Sequence, residues 1–549
     1  MLNRREFLGG AACAGAALGL GCVTRRSASA GGFSPNYWCT WGIQNALVRV
    51  DRKRGMSAIA GDQGAFAARN NLNEEFIFGK GGWAETQFPN VHADLFMMLD
   101  DGWDVPYDVH PAKNLAVFGS HDPHPSRFPS FGSTAVERLT NVNRRLQDAG
   151  WQGAGLWVAC QTVGDGKWLG RTAPIAPGVR DVWKRKLDES AAAGVRYWKV
   201  DWGAHGGSTA YRQMISELKR EIYPELVVEH MPHSGSVFNG QDFRRLDSDG
   251  NPTGCGRLLG NAALAQDADE DNMRRFGFSD VLRVYDMLQP VEGATCFERT
   301  AYYAALLEKA GARTILNLEG NVVLGAALGH AFGIMRSCGM PPPPAKDVSQ
   351  LALRLAEVDR AVRWQRLAPA FGGRSDCRTT HSDETLTDWN RFQSGQGWLK
   401  DAWGRIVTQR SPAAIARGCA LPTVTPKEGE KPRVAVCRHP NGAVAVAALP
   451  RSIGMRYWTP RADIALACAP AANAPLAVFG ETASVSLPCP ARPRRVIAED
   501  LAGGPTTDIT IAADWCDGRL TLPGNLLAKI GRAQAPNDPS APGTLVQLS

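Results

Sequence analysis

Lys199 and Asp201 are the residues of this chain whose types and spacing point most directly to chemistry. They stand in the apolar run Tyr197–Gly203, which predicts a short buried strand ending at the carboxylate. Side chains two residues apart on a strand point to the same side. The lysine can therefore keep the aspartate ionised as a nucleophile, or bind a polyhydroxylated ligand beside it. A buried structural ion pair is the alternative, because such pairs also perturb ionisation.

Three other predicted strands deliver polar side chains to the same rim. Two adjacent carboxylates followed by a tryptophan can bind vicinal hydroxyl groups while the indole covers one face of a sugar ring. An acidic loop with a packed indole is the alternative interpretation of that motif. The polar residues at these strand ends are Asp100, Asp101 and Trp103 after the second strand, Glu229 and His230 at the fifth, and Arg283 and Asp286 at the sixth.

Asp201 and Asp286 form the pair of carboxylates on which a reaction would depend. Strands four and six lie two places apart in a ring of strands, so these side chains are expected to face each other across its mouth. Glycoside cleavage uses two such carboxylates. One attacks the anomeric carbon, and the other protonates the leaving oxygen and then activates water. Arg283 fits this scheme as a substrate-binding residue, and Asp280 is a competing candidate for the acid.

The elements that must position these residues follow a β/α pattern between about 35 and 365. Short apolar runs alternate with amphipathic stretches, which predicts an eight-fold parallel barrel with long loops. The predicted strands are Tyr37–Trp41, Asp94–Leu99, Gly155–Cys160, Arg196–Asp201, Leu226–Glu229, Val281–Tyr285 and Arg313–Leu318, with an eighth near Met335–Cys338. The predicted helices include Ser133–Ala149, Val179–Ala193, Ser208–Ile222 and Val348–Ala368, whereas 240–278 predicts a long loop.

Beyond Gly372 the pattern changes to short strands joined by turns. Asn441-Gly442 between two apolar runs is a strong hairpin signal. The chain is therefore predicted to be an α/β protein, with a (β/α)8 TIM barrel over 31–372 followed by a C-terminal antiparallel β-sandwich domain over 373–549. The strands predicted there are Arg433–Cys437, Ala443–Leu449, Leu476–Phe479, Ala483–Leu487, Arg495–Ala498 and Asp508–Ile511.

Residues 1–30 are interpreted as a targeting segment rather than as part of the fold. Asn3–Leu8 carries the paired arginines of a twin-arginine signal, an apolar stretch follows, and Ala28–Ala30 fits a cleavage site. Cys22 could take a lipid instead, but the residues before it match the required motif poorly. The expected location is periplasmic or extracellular after twin-arginine export, with no membrane span.

Composition is typical of a folded soluble protein and excludes some partners. The chain has 549 residues, 44% of them hydrophobic, and its net charge of +7 is too small and too evenly spread for nucleic acid. The thirteen cysteines show no zinc-finger spacing. His121, His124, His205, His230 and His233 leave a metal-dependent barrel hydrolase open, but no His-x-His ends the first strand. No metal and no organic cofactor is expected.

Six motifs, in this order along the chain, resemble glycoside hydrolase clan D, the α-galactosidases of families 27 and 36. The resemblance covers roughly residues 35–450 and implies Asp201 as the nucleophile and Asp286 as the acid/base. The motifs are Tyr37–Trp41, Asp100–Trp103, Ser126–Pro129, Gly153–Trp157, Lys199–Asp201 and the spaced pair Arg283 and Asp286.

Two departures from that family limit what the resemblance implies. The family's fifth-strand Cys-Glu-Trp-Pro is Glu229–Pro232 here, and Arg283 stands three residues before Asp286 where family 27 usually has four. The resemblance thus implies retaining hydrolysis of an α-glycoside, with an oligosaccharide or glycoconjugate as substrate, without identifying the sugar. A catalytically inactive carbohydrate-binding barrel is the alternative. The implied substrate-binding residues are Trp41, Asp100, Asp101, Trp103, Lys199, Trp202, Glu229, His230 and Arg283.

Overall fold

Eight parallel strands form a barrel in the N-terminal part of the chain. The computed structural model describes residues 34–48, 67–232, 244–246, 252–255, 265–284, 291–340, 348–391 and 406–549. The barrel strands are β1 (Tyr37–Cys39), β2 (Phe96–Leu99), β3 (Ala154–Val158), β4 (Tyr197–Val200), β5 (Val227–His230), β6 (Val281–Arg283), β7 (Ile315–Asn317) and β8 (Gly333–Ile334), paired in the order β8-β1-β2-β3-β4-β5-β6-β7. Asn317 also pairs in parallel with Ala331, so the sheet is nearly closed. The barrel prediction is confirmed, while the proposed targeting segment lies outside the described residues.

Helices alternate with the strands and pack against one another along the chain. In chain order the described helices are α1 (Trp41–Ala46), α2 (Glu74–Phe78), α3 (Trp83–Thr86), α4 (Pro111–Asn114), α5 (Ala135–Asp148), α6 (Val179–Ala193), α7 (Thr209–Ile222), α8 (Ala265–Phe278), α9 (Glu292–Ala310), α10 (Val322–Ala327), α11 (Ala356–Leu367) and α12 (Gly524–Ile530). Thr134 and Glu137 form a capping box that starts α5, and Gly194 ends α6 with a φ of +69°. None of the described helices is long and apolar enough to cross a membrane.

Strand alternation divides the barrel residues into an outer and an inner set. On β4, Trp198 and Val200 join the core between barrel and helices, whereas Tyr197 belongs to a separate cluster with Tyr37 and Phe96. This second cluster fills the barrel interior, as the alternation of side chains on strands requires. Lys199 lies two residues after Tyr197, so its side chain also points into the barrel, where its partners lie.

The eighth strand begins two residues before the predicted Met335–Cys338. Gly333 pairs with Tyr37, and a Cβ atom at position 333 would lie 2.5 Å from the Tyr37 ring. A glycine is therefore required where the first and last strands meet, and a strand containing it lacks the apolar signal by which strands are predicted.

Two other predicted boundaries are wrong. The segment 240–278 contains a two-stranded ribbon, Arg244–Leu246 with Pro252–Cys255, and the helix α8. The predicted helix Val348–Ala368 is shorter, because a 3-10 turn at Leu351–Leu353 precedes α11.

The C-terminal part is built from three further sheets, and the predicted hairpin lies in the largest. The strands are β9 (Thr379–His381), β10 (Thr385–Arg391), β11 (Ile406–Pro412), β12 (Ala414–Arg417), β13 (Thr423–Pro426), β14 (Arg433–Arg438), β15 (Val444–Leu449), β16 (Arg451–Ile453), β17 (Arg456–Trp458), β18 (Ala462–Ala465), β19 (Leu476–Phe479), β20 (Ser484–Pro488), β21 (Val496–Asp500), β22 (Thr507–Asp508), β23 (Asp514–Cys516), β24 (Arg519–Pro523) and β25 (Gly543–Leu548). Their orders are β9-β12-β14-β15-β19-β25-β21-β22, β11-β10-β16-β17 and β13-β18-β20-β24-β23. Most neighbours are antiparallel, but four pairs are parallel: β10 with β16, β12 with β14, β15 with β19 and β18 with β20.

Candidate active site

Six buried charged side chains converge inside the barrel at the carboxyl ends of its strands. Each is 7% exposed or less, and four are carboxylates while two are cations. We call this group the strand-end cluster; it consists of Asp100, Lys199, Asp201, Glu229, Arg283 and Glu319.

Asp201 is held by one contact on each carboxylate oxygen. Its Oδ1 lies 3.1 Å from Arg283 Nη2, and its Oδ2 accepts a 2.9 Å hydrogen bond from Trp157 Nε1. Its backbone carbonyl accepts a 2.6 Å bond from Arg212, which fixes the strand end. Burial raises the pKa of Asp201 to about 6, although Lys199 lowers it in part. The carboxylate is thus mainly charged at neutral pH.

Lys199 does not pair with Asp201, two residues after it. It forms ion pairs with two other carboxylates. Its Nζ lies 2.9 Å from Asp100 Oδ2 and 2.9 Å from Glu319 Oε1. Burial alone would lower the pKa of Lys199, but the surrounding acidic groups, Asp100 first and Glu319 among them, together outweigh it, and the pKa is raised well above the usual range. The lysine therefore stays charged. The Lys199–Asp201 ion pair considered from the sequence is replaced by an Arg283–Asp201 pair.

Glu229 lies beneath these groups and has its oxygens occupied. Tyr37 donates a 3.2 Å hydrogen bond to Oε1, while Tyr197 at 2.8 Å and Asn317 at 2.6 Å donate to Oε2. Burial and the neighbouring Glu319 raise the pKa of Glu229 to about 7. The same Tyr37 hydroxyl lies 3.0 Å from Glu319 Oε1, so its single proton is shared between the two carboxylates and links them.

Asp101 is turned away from Lys199 and toward Arg69. The two oxygens of Asp101 accept bonds of 2.8 and 2.6 Å from the Arg69 guanidinium. That guanidinium lies 5.5 Å from the Trp202 ring centre, and Trp202 also hydrogen-bonds Asp101. Of the predicted vicinal pair, Asp100 thus joins the strand-end cluster and Asp101 anchors the Trp202 indole.

Three residues predicted to bind substrate lie elsewhere. Trp103 is fully buried and donates a 2.7 Å bond to the Trp157 carbonyl, so its faces are packed in the core. His230 follows the inward-facing Glu229 by one residue and therefore points outward, where its Nε2 is 2.9 Å from Ser216 Oγ on α7. Trp41, on α1, belongs to the apolar cluster of the barrel interior and is 6% exposed.

Of the two candidates for the acid, Asp280 is the one that the structure describes. Asp280 precedes β6 and lies at the amino end of the barrel, where it accepts a 2.8 Å bond from Val228 N and pairs with Lys219 at 3.0 Å. It is removed from the strand-end cluster, which corrects its candidacy. Asp286 lies outside the described residues.

Several members of the site were not selected from the sequence. Tyr37, Cys39, Trp157 and Asn317 contact the cluster, and Glu319 is one of its charges. For all of these except Trp157, a signal was present in the two-residue period of strands, because Tyr37 with Cys39 and Asn317 with Glu319 are pairs two residues apart at a strand or just beyond its end.

The described histidines that suggested a metal site have separate partners, and His233 lies outside the described residues. His121 Nε2 lies 2.9 Å from Ser190 Oγ, and His205 stacks on Tyr211 with ring centres 4.0 Å apart. Within the described ranges, no group of three or more metal-ligating side chains is assembled.

A cavity of about 980 Å³ lies in the C-terminal part. Tyr457 and Trp458 line it, and its charged residues are largely paired, as Lys427 is with Asp463. It holds no carboxylate pair comparable with the strand-end cluster, so the barrel is the candidate active site.

Comparisons with known proteins give similarity of structure only. No protein-family model and no curated protein matches the chain. A Bacteroides fragilis protein with a provisional alpha-galactosidase/melibiase assignment is 11% identical, with a TM-score of 0.35 over 93% of this chain and 79% of that one. AbfB of Bifidobacterium longum, a family 51 alpha-L-arabinofuranosidase, is 9% identical, with a TM-score of 0.27 over 84% of this chain and 88% of that one. Both scores are low, so a functional assignment depends on the side chains of the barrel.

Proposed function

We propose that this protein is an exported retaining glycoside hydrolase, similar to α-galactosidases, that removes terminal α-linked sugars. The observation that carries the proposal is the Asp201 carboxylate, oriented by Arg283 and Trp157 at the carboxyl end of a barrel strand. Enzymes with this fold have their catalytic groups at that end.

The charge balance of the strand-end cluster suits the transition state of glycoside cleavage. Four carboxylates face two cations, so the cluster is negative even when Glu229 carries a proton. Cleavage passes through an oxocarbenium-like state in which the sugar becomes positive. A buried excess of negative charge stabilises that state more than the neutral substrate.

Asp201 is assigned the role of nucleophile. Its carboxylate attacks the anomeric carbon as the glycosidic bond breaks, which gives a covalent glycosyl ester. Arg283 and Trp157 hold the carboxylate in one orientation, so little rearrangement precedes attack.

Asp286 is assigned the role of acid and base. It donates a proton to the leaving oxygen and later takes one from the water that hydrolyses the ester. Glu229 is a poor alternative, because it is 1% exposed and its oxygens accept three hydrogen bonds.

Lys199, Asp100 and Glu319 are assigned to binding the sugar hydroxyls. The lysine can donate to hydroxyl oxygens, and the carboxylates can accept from hydroxyl protons. Tyr37 and Tyr197 belong to the buried cluster that fills the barrel interior, so a substrate that enters from the strand ends is expected to bind by the end of its chain rather than by its middle.

A screen of α- and β-linked glycosides of galactose, N-acetylgalactosamine, glucose and arabinopyranose tests the activity. Release of one sugar from its α-glycoside supports the proposal. NMR of the first product then reports stereochemistry, and retention of the α-anomer is expected. Inversion would contradict the nucleophilic role of Asp201.

Azide rescue of Asp201→Gly tests the nucleophile directly. Removing the carboxylate leaves space in which azide can attack an activated α-glycoside, and a β-glycosyl azide is the expected product. Binding of glycans by the wild type without turnover of any glycoside would favour the inactive carbohydrate-binding barrel instead.

A further inference from the structure

We propose that Trp168 forms an outer binding subsite for the leaving-group sugar, so that the preferred substrate is an oligosaccharide rather than a simple glycoside. The inference rests on the proposed glycosidase function and specifies its substrate class. It starts from Trp168 itself, whose side chain is 58% exposed on the loop after β3.

A line of indoles connects the Asp201 carboxylate to solvent. Trp157 donates to Asp201, Trp202 lies 5.1 Å from Trp157 between ring centres, and Trp168 lies 5.7 Å from Trp202. The exposure of these side chains rises along the line, from 1% for Trp157 through the half-buried Trp202 to Trp168. Trp168 is thus two rings outward from the carboxylate that attacks the terminal sugar.

The loop that carries Trp168 is fixed at several points. Leu169 N donates a 2.9 Å bond to Ala204 O, beyond β4, and Gly164 N donates a 2.8 Å bond to Ala116 O, beyond β2. Thr162 also bonds to Asp165 within the loop. A fixed indole with few rotatable bonds loses little entropy when a ligand packs on it.

Other exposed aromatic surface near the barrel mouth is already covered. Tyr107 is 38% exposed, but the Arg127 guanidinium lies 4.2 Å from its ring centre. Trp168 is the most exposed aromatic side chain among the residues whose exposure the structure describes, and Val163 in the same loop is also 58% exposed. An exposed apolar patch at the rim of a polar site marks a binding surface.

The position of the patch identifies the part of the substrate that it would bind. Lys199, Asp100 and Glu319 lie deep in the barrel, where the terminal sugar is proposed to bind. Trp168 lies on the solvent side of Asp201, where the remainder of the chain must leave. The apolar face of a pyranose ring is the chemistry that packs on an indole.

Paired substrates test the inference without depending on total activity. The pair consists of the α-glycosyl fluoride of the sugar found by the screen, whose leaving group is too small to reach Trp168, and a trisaccharide ending in the same sugar. In Trp168→Ala the ratio of kcat/KM for trisaccharide to that for fluoride is expected to fall about tenfold, with most of the change in KM. Trp168→Phe should recover part of the ratio.

Trp458→Ala is the matched control, since that indole lies in the C-terminal cavity beneath the Arg456 guanidinium, 3.9 Å away. Its ratio should equal that of the wild type. Equal ratios in Trp168→Ala and the wild type would overturn the inference and leave the glycosidase proposal standing.

If the wild type cleaves no glycoside, the proposed function has failed. Calorimetric titration with trisaccharides then decides whether Trp168 forms a sugar-binding site. Binding that is weakened in Trp168→Ala but not in Trp458→Ala would support a sugar site at Trp168. Binding that is unchanged in Trp168→Ala, or absent from the wild type, would overturn it.

Discussion

Two buried clusters of arginine and carboxylate in this protein have opposite effects on ionisation. In the strand-end cluster, burial raises the pKa of Asp201 to about 6 and that of Glu229 to about 7. At the start of α11, burial alone would raise the pKa of Glu357 too, but Arg354 and Arg336 lower it to about 2. All these carboxylates are 7% exposed or less, so burial does not explain the difference.

The difference comes from the number and closeness of the cations. Glu357 has two guanidinium groups at 2.7 and 2.8 Å, and it accepts a further bond from Ala541 N at 3.0 Å. In the strand-end cluster, four carboxylates share Lys199 and Arg283, and the Arg283 contacts to Glu229 and Glu319 are 3.8 and 3.9 Å. The Glu357 carboxylate is thus fully neutralised, as in a structural ion pair, whereas the strand-end cluster retains unneutralised negative charge that a positive transition state can use.

The largest effect is expected in Asp201→Asn, which should lose catalytic activity without losing stability. Asp201→Asn keeps the side-chain shape but removes the nucleophile, so hydrolysis of an α-glycoside should fall by at least about 10⁴-fold. The folded state disfavours the charge of Asp201, so unfolding at pH 8 should occur at the same or a higher temperature than in the wild type. Steady-state kinetics and thermal unfolding measure the two effects.

Asp280→Asn is the control for Asp201→Asn. Asp280 lies at the opposite end of the barrel, so turnover should stay within about twofold of the wild type. Loss of turnover in Asp280→Asn together with full turnover in Asp201→Asn would reverse the assignment made here.

Glu357→Gln should lose stability and keep catalysis, whereas Asp201→Asn should lose catalysis and keep stability. It leaves two buried guanidinium groups without their shared carboxylate, which costs about 3–5 kcal/mol of unfolding free energy. Urea unfolding measures the loss. The kcat of the protein that remains folded should stay near the wild-type value, and a catalytic loss as large as that in Asp201→Asn would end the distinction between the two clusters.

The barrel could be predicted from the sequence because most of its strands are short apolar runs between helices. The exceptions are elements whose signal is weak for a physical reason. β8 contains Gly333, which the Tyr37 ring requires, and α8 buries Asp271, Asn272 and Arg275 on the face that a helix usually makes apolar. Polar residues at core positions hide the helical pattern from a hydrophobicity argument.

The candidate site could be predicted where a motif identified the end of a strand. It was harder to predict where the direction of a side chain had to be inferred. Asp100, Lys199, Asp201, Glu229 and Arg283 lie together because strand ends meet at one rim. His230 lies elsewhere, because one residue more along a strand reverses the side on which a side chain emerges. Trp103 lies elsewhere because it stands in the turn after β2, where its indole is buried. Contacts between neighbouring barrel strands, such as Trp157 on β3 with Asp201 after β4, link residues 44 positions apart, and no local spacing predicts them.

A smaller effect is expected in the pH dependence of stability. The pKa of Glu229 is near 7 in the folded state against about 4.5 in model peptides, so its contribution to stability is greatest below about pH 4.5 and is lost as the pH rises to about 7. The loss is on the order of 3 kcal/mol for a shift of this size. Thermal unfolding of Glu229→Gln between pH 5 and 8 should therefore show a weaker decline than the wild type.

Glu217→Gln controls for the removal of a glutamate as such. Glu217 is exposed on α7 and accepts a 2.9 Å bond from Gln213. Its pH dependence should follow that of the wild type. Identical slopes for Glu229→Gln and the wild type would mean that Glu229 is not held protonated by the fold.

The smallest expected effect concerns the contribution of one hydrogen bond in the strand-end cluster to the pKa of Asp201. The Trp157 indole N–H lowers the pKa of Asp201 by bonding to its charged form, so Trp157→Phe should raise it. The acid limb of kcat/KM, expected near pH 6, should then move upward by roughly half a unit to one unit. Trp151→Phe removes an equivalent bond, from Trp151 Nε1 to Ala84 O at 2.9 Å, in a region without a catalytic carboxylate, and should leave the limb in place. A downward shift in Trp157→Phe, or equal shifts in both variants, would show that the acid limb reports a group other than Asp201.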